Sequence, residues 1–264
     1  MFVAANGPGQ PTAQAGECIV QARELVGAAC SVALFTGAGL STGSGIPDYR
    51  GPNGSWTADP DAMRGSHTAI YAAEADLRQR AWQRRLASPM WQAKPNAGHI
   101  CILDLEVAGR LCGVVTQNID GLHQAAGLGE EKVVELHGTM WRSRCLSCGE
   151  RREMSETLDR VRAGDPDPSC GNCGGVLSSD TVGFGEKLDP LLLQRAEEIL
   201  GEAEVVVAVG SSLTVHPAAG LVARAAMGHA DLVICNGQPT PYDALASLVV
   251  PGDVSETLPA ILGS

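Results

Sequence analysis

Residues 32–51 read VALFTGAGLSTGSGIPDYRG, and the two halves of this stretch ask for different things. An unbroken apolar run, VALF, is followed after one threonine by Gly37-Ala38-Gly39. A glycine-rich turn directly after a buried strand is the context of a dinucleotide-binding loop. Missing side chains let the backbone come close to a pyrophosphate, and a helix N-terminus adds a favourable dipole. The second half, IPDYRG, does not open an ordinary helix, because proline, acid, aromatic and base succeed one another with no apolar period. A hydride-transferring dehydrogenase would also carry an acid about twenty residues on, at a strand end, for the adenine ribose. Here that region reads GPNGSWTADPD, with no strand before its acids.

Working outward, further aliphatic runs occur at 113–116 (GVVT), 132–136 (KVVEL), 204–210 (EVVVAVG) and 232–237 (LVICNG). Continuous β-branched runs suit parallel strands covered on both faces. Helical spacing appears in AGECIVQARELVGAAC, PLLLQRAEEILGEA and HPAAGLVARAAMG. This alternation predicts an α/β fold with a doubly wound, Rossmann-like parallel sheet. The sheet domain should comprise 13–51, 99–141 and 179–264, after a Gly/Pro/Ala/Gln-rich lead-in over 1–12. Two stretches break the rhythm: 52–98, polar with a helical pattern around EADLRQRAWQRRLA, and 142–178, rich in arginine and paired cysteines. Both are expected to be insertions that build a smaller lobe. ICNG and PGDVSETLPAIL are expected to be strand-end loops.

Cys145-x-x-Cys148 and Cys170-x-x-Cys173, with 21 residues between the pairs, can wrap one tetrahedral Zn²⁺ in four thiolates. Four sulfurs leave no open coordination position, so the metal should be structural. The other cysteines, Cys18, Cys30, Cys101, Cys112 and Cys235, are expected to be small buried side chains.

Chemistry should gather where the buried runs end in polar residues. TQNIDGLH (116–123) closes one run with Gln117, Asn118, Asp120 and a histidine, and the amides and the acid could hold a ribose and a carboxamide. VVELHGT (133–139) closes another with His137 beside a glycine, a placement suited to a general base. GSSLTVHP (210–217) closes a third with small hydroxyls.

The 264 residues carry a formal charge of −11, which argues against bulk nucleic-acid binding. Six basic and six acidic residues across 142–178 argue against a nucleic-acid-binding zinc ribbon. A composition of 44% hydrophobic and 19% charged residues is that of a globular enzyme. No leader or membrane span is read from the sequence, so the expected location is cytoplasmic.

Taken in order, GAGLSTGSGIPDYRG, TQNIDGLH, the His-Gly pair, both C-x-x-C pairs, VGFGE, GSSLTVHP, ICN and GDV resemble the sirtuin (Sir2-like) family of NAD-dependent protein deacylases, in its bacterial type. The resemblance runs from about residue 25 to the C-terminus. It implies that the glycine turn at Gly37 and Gly39 carries the NAD phosphates, while Ala38, Ile46, Asp48, Tyr49 and Arg50 line a loop over the nicotinamide. Gln117 would approach the nicotinamide-side ribose, and Asn118, Ile119 and Asp120 the carboxamide, with Asn118 and His137 as the catalytic pair. Gly210, Ser211, Ser212, Asn236, Asp253 and Val254 would hold the adenosine half. The strip Val182, Gly183, Phe184, Gly185 and Glu186 would pair with an acyl-lysine protein or peptide by main-chain bonds. NAD would be consumed, releasing nicotinamide and O-acyl-ADP-ribose, with acetyl as the default acyl group.

Members that prefer acidic acyl groups carry Tyr-x-x-Arg, whereas this chain offers Trp82 and Arg85 at comparable spacing, which would contact the substrate. Tyr49 stands where the family more often has Phe. Two other readings of the same residues stay open: a mono-ADP-ribosyltransferase, and a non-catalytic NAD-sensing scaffold.

Overall fold

The computed structural model describes residues 13–263; the expected lead-in over 1–12 lies outside them. Six strands form the larger sheet: β1 (Val32–Thr36), β2 (Leu111–Thr116), β3 (Val133–Glu135), β7 (Val205–Val209), β8 (Asp231–Asn236) and β9 (Leu248–Pro251). A three-stranded sheet is built from β4 (Gly138–Cys145), β5 (Arg151–Glu153) and β6 (Leu177–Thr181).

The larger sheet runs β3-β2-β1-β7-β8-β9 and every neighbouring pair is parallel. Counted along the chain within that sheet, the order is 3-2-1-4-5-6, that of a doubly wound dinucleotide-binding sheet. β1 and β7 are buried at every position, which is why their sequences show no polar alternation. Alternate residues feed two cores. Val32, Leu34, Val114, Val207 and Val233 pack under helices Ala13–Ala28, Ala97–Val107 and Val254–Leu262. Ala33, Phe35, Val115, Val206 and Ile234 pack under Pro190–Gly201 and Ala218–Met227.

Two elements differ from expectation. β9 is short and ends in proline, giving little periodic pattern, and PGDVSETLPAIL is mostly the helix Val254–Leu262, with the Asp253 side chain accepting from Ser255 N. Of the scattered cysteines, Cys101 and Cys235 are buried, Cys18 and Cys112 are half-buried, and Cys30 is exposed.

The smaller sheet is antiparallel, in the order β5-β4-β6. It reaches from Gly138 to Thr181, a few residues beyond 142–178 at each end. Residues 52–98 contribute helices, the longest being Ala75–Leu86, and no strand. The two insertions share one core: Trp82 from that helix packs with Cys145, Met154, Leu158, Val161, Cys170 and Leu177.

Candidate active site

β1 and β7 are adjacent where the strand order reverses, and ligands of open α/β sheets bind beyond the carboxyl ends of such a pair. The loops leaving these strands meet backbone to backbone. Gly37 N–H donates to Val209 O at 2.9 Å, and Gly39 N–H to Gly210 O at 2.8 Å. A Cβ on Gly39 would lie 2.8 Å from Gly210 Cα, and one on Gly210, whose φ is +59°, would lie 2.5 Å from Leu40 N. The contact therefore demands glycine on both sides. The Gly37 and Gly39 amides are thus paired with the end of β7 and the residue after it, and the close approach makes a floor at the switch point.

Beside that floor lies a buried polar cluster. The Ser41 hydroxyl donates to Asp120 Oδ2 at 2.7 Å, and Leu122 N donates to Asp120 Oδ1 at 2.9 Å. Asn118 Nδ2 donates to both Gly37 O and Ser41 Oγ at 3.1 Å, and Asn118 N donates to Thr116 Oγ1 at 3.0 Å. Both amide hydrogens of Asn118 are thereby used, leaving Oδ1 as the acceptor it can offer a ligand. Ile119 is tied to β4 through Met140 N, which donates to Ile119 O at 2.9 Å.

His137 ends the β3 run. Its Nδ1 lies 3.1 Å from Gln117 O, which can only accept, so the proton is assigned to Nδ1 and the lone pair to Nε2. Burial pushes its pKa below the ordinary histidine value, and the Gln117 carbonyl only partly offsets this. The ring is a neutral base at pH 7. Gln117 Nε2 in turn donates to Ser211 Oγ at 2.7 Å, so Ser211 stands with Gln117 across the switch point. Ser212 is exposed and shares a 2.9 Å hydroxyl contact with Thr214, while half-buried Asn236 donates to Gln238 O at 2.8 Å. Val254 is buried in the first core behind the Asp253 cap.

The IPDYRG segment folds as an irregular loop held by local hydrogen bonds. Ile46 N returns to Ser41 O at 3.2 Å, Asp48 Oδ1 accepts from Gly51 N at 2.9 Å, and Trp56 N donates to Tyr49 O at 3.0 Å. Tyr49 packs on Trp56 with ring centres 4.7 Å apart, Arg50 lies 4.7 Å over the same indole, and Trp56 reaches Phe184 at 5.5 Å. Burial first, and the Asp120 charge second, push the Tyr49 hydroxyl up to about 12, so it stays protonated.

The strip 182–186 is less open than expected. Val182 N donates to His137 O, Phe184 N to Ser66 O, and Thr68 N to Phe184 O. Glu186 turns inward, accepting from Gly183 N at 2.8 Å, Thr68 Oγ1 at 2.9 Å and Arg144 Nη2 at 2.5 Å. Several of the strip's donors are thus already paired within the chain. Gly185, at φ +93°, makes its turn.

Trp82 and Arg85 are not brought to this cluster as a substrate pair. Trp82 has no exposed surface, and the Arg85 guanidinium stacks 4.6 Å over its ring while donating to Tyr71 Oη at 3.1 Å. Helix periodicity places both on the face that packs into the smaller core. Sequence reasoning also left His99 and His123 without roles, although both are buried beside the polar cluster. The spacing of His99 three residues after Asn96 is a capping-box pattern that could have found one of them.

The four paired cysteines converge, with all sulfurs within 4.8 Å of one another and contacts of 3.5 Å (Cys145–Cys173) and 3.7 Å (Cys148–Cys170). A tetrahedron with Zn–S of about 2.3 Å has S···S edges of roughly 3.8 Å, so the donor set fits zinc.

A 3-2-1-4-5-6 sheet with a glycine junction at its switch point and a Cys₄ lobe defines a dinucleotide-binding α/β protein carrying a structural metal module. Residues 37–217 match the model of the Sir2 family. A protein of Streptomyces coelicolor named NAD-dependent protein deacetylase 2 is 50% identical over 232 residues, covering 88% of this chain and 96% of that protein. A solved structure described as "Structural Basis for the Mechanism and Regulation of Sir2 Enzymes" superposes with TM-score 0.84 at 34% identity, over 94% of this chain and 97% of the other. A second, "Structure of Sir2Tm bound to a propionylated peptide", gives 0.82 at 30%, over 93% and 97%. This chain belongs to the Sir2 family.

Proposed function

We propose that the chain is an NAD-dependent protein-lysine deacylase, with acetyl-lysine as its default substrate. The observation that carries this reading is a neutral imidazole, His137, held by Gln117 at the carboxyl edge of the sheet, close in the fold to the Asn118–Asp120 cluster. When bound, NAD supplies an electrophilic anomeric carbon with nicotinamide as leaving group, and the acyl amide oxygen is the nucleophile.

In this reading Asn118 Oδ1 and Gln117 orient the nicotinamide-side ribose and carboxamide. His137 Nε2 accepts a proton from a ribose hydroxyl, a role for which a neutral ring is required. The Tyr49–Trp56–Phe184 ring series excludes water from the reacting end, which protects NAD from hydrolysis. The backbone of 182–186 is assigned to the peptide, as supported by the relative described with a propionylated peptide. Gly37, Ala38, Gly39, Gly210, Ser211, Ser212, Asn236, Asp253 and Val254 are assigned to the phosphates and adenosine. The zinc expected at Cys145, Cys148, Cys170 and Cys173 has no open position and takes no part in the chemistry.

Residues 13–51, 99–141 and 179–264 serve as the dinucleotide domain, and 52–98 with 142–178 as the inserted lobe. A cytoplasmic setting and the absence of nucleic-acid or membrane partners complete the reading; no helix among the described residues is long and apolar enough to cross a membrane.

Mass spectrometry of the zinc-loaded protein with NAD and an acetyl-lysine peptide tests this. Free nicotinamide, deacetylated peptide and O-acetyl-ADP-ribose are expected. A protein gaining the mass of ADP-ribose, with the peptide still acetylated, replaces this reading with ADP-ribosyl transfer. No product at all, with NAD bound, leaves the sensing scaffold.

A further inference from the structure

We propose that His99 and His123 form a neutral, tautomer-locked pair heading a one-way hydrogen-bond chain that ends on the Thr116 hydroxyl oxygen, where the Asn118 amide is also received, and so act as positioning residues. The catalytic consequence rests on the deacylase reading above; the pairing itself does not.

The proton positions follow from the partners. Asn96 N–H donates to His99 Nδ1 at 3.3 Å, closing the capping box of helix Ala97–Val107, so the His99 proton is on Nε2. The Thr36 hydroxyl donates to Thr116 Oγ1 at 2.8 Å, so at its 3.0 Å contact with His123 Nε2 the Thr36 oxygen accepts. The His123 proton is therefore also on Nε2, and its Nδ1 carries a lone pair.

Two polar atoms are left over, and they complement each other. His99 Nε2, a donor, and His123 Nδ1, an acceptor, are both buried and find no partner among the described residues. The rings are 0% and 1% exposed, with centres 5.2 Å apart. A buried polar group left without a partner is costly, so two such groups of opposite sense, one on each of two adjacent rings, are expected to serve one another. Whether they meet after a small ring rotation or through one internal water, the sense is the same: His99 gives and His123 receives.

From there the chain runs one way as far as Thr116, whose oxygen receives a second donor from Asn118. His123 Nε2–H points to Thr36, Thr36 O–H to Thr116, and Thr116 Oγ1 also accepts from Asn118 N at 3.0 Å. Asn118 then fixes Gly37 O and the Ser41 hydroxyl, which binds Asp120. Were the His123 proton on Nδ1, Thr36 would turn its hydroxyl to Nε2 and Thr116 would have to become the donor to Thr36, so the His123 tautomer sets the orientation of the hydroxyl on which the Asn118 amide rests. Burial keeps both rings uncharged, as the chain requires.

Long-range ¹H–¹⁵N correlation spectra of the wild-type protein at pH 7 test the pairing without any need for turnover. Both rings should show the neutral Nε2–H tautomer. An Nδ1–H or charged ring at either position overturns the proposal. Kinetics then test the consequence. His123→Leu should raise KM for NAD or lower kcat about tenfold while KM for the peptide stays within twofold, and His123→Gln, which offers both donor and acceptor, should recover most of that loss. Equal losses in the two variants, or parallel rises in both KM values, would show that His123 only fills space. If the wild type turns nothing over, the deacylase reading falls while the spectra still decide the pairing.

Discussion

His137 Nδ1 and the main-chain oxygen of Gln117 sit 3.1 Å apart, and this contact decides which ring nitrogen can take a proton. The carbonyl can only accept, so the lone pair is left on Nε2. The residue that steers the base also carries a side chain assigned to the ribose, so one strand end sets both.

From this it follows that His137→Ala should lower nicotinamide release by about 10²–10⁴-fold, the usual worth of a positioned general base, with NAD affinity changed little. Calorimetry and a nicotinamide assay on the same preparation check it; unchanged turnover would remove the assignment. Because burial lowers the His137 pKa, the acid limb of kcat/KM should fall below the ordinary histidine value.

Arg85 is engaged inside the smaller lobe, stacked on Trp82 and bonded to Tyr71. Arg85→Met should therefore cost about 1 kcal/mol of stability through the lost cation–π and hydrogen-bond contacts. It should leave the ratio of rates on acetyl- and succinyl-lysine peptides within twofold. A selective loss on the succinyl peptide would bring Arg85 back to the substrate.

Trp82 shares its core with Cys145 and Cys170, so the metal and the indole report on the same packing. Chelation of the zinc should shift the intrinsic fluorescence to the red as this core opens, with activity lost in step. Trp82→Phe should remove most of that shift. Activity that vanishes while the fluorescence holds would mean that the metal does more than brace the lobe.

The larger sheet was legible because strands buried on both faces leave continuous β-branched runs, as in VALF and VVVAV. β4 to β6 gave no such pattern: their lobe rests on four sulfurs and a small core shared with a helix some sixty residues earlier in the chain. The site residues stood out where buried runs end in Gln, Asn, Asp and His. Their partners did not, since Gln117 with Ser211, or His99 with His123, are contacts between segments far apart in sequence. Trp82 illustrates a related limit of the sequence, because spacing along a helix shows a face but not what covers it.

The buried histidines also set how stability responds to acid. Burial, opposed at His99 by the Asp120 charge, holds that ring down to about 4; burial and the neighbouring His99 hold His123 down to about 3. Unfolded, both return to about 6.5. The folded values are depressed, so between about 4 and 6.5 the unfolded chain binds more protons than the native one. The stability these groups contribute is complete above 6.5 and is lost as pH falls. Each should contribute a slope approaching 1.4 kcal/mol per pH unit in that window. Urea unfolding at pH 7, 6 and 5 should show the midpoint falling, and His123→Leu should flatten the fall by about one proton's worth. Carboxylates titrate mostly below this range and do not supply the same slope. A midpoint that holds steady from pH 7 to 5, or a variant as acid-sensitive as the wild type, would mean that these rings are not kept neutral by the fold.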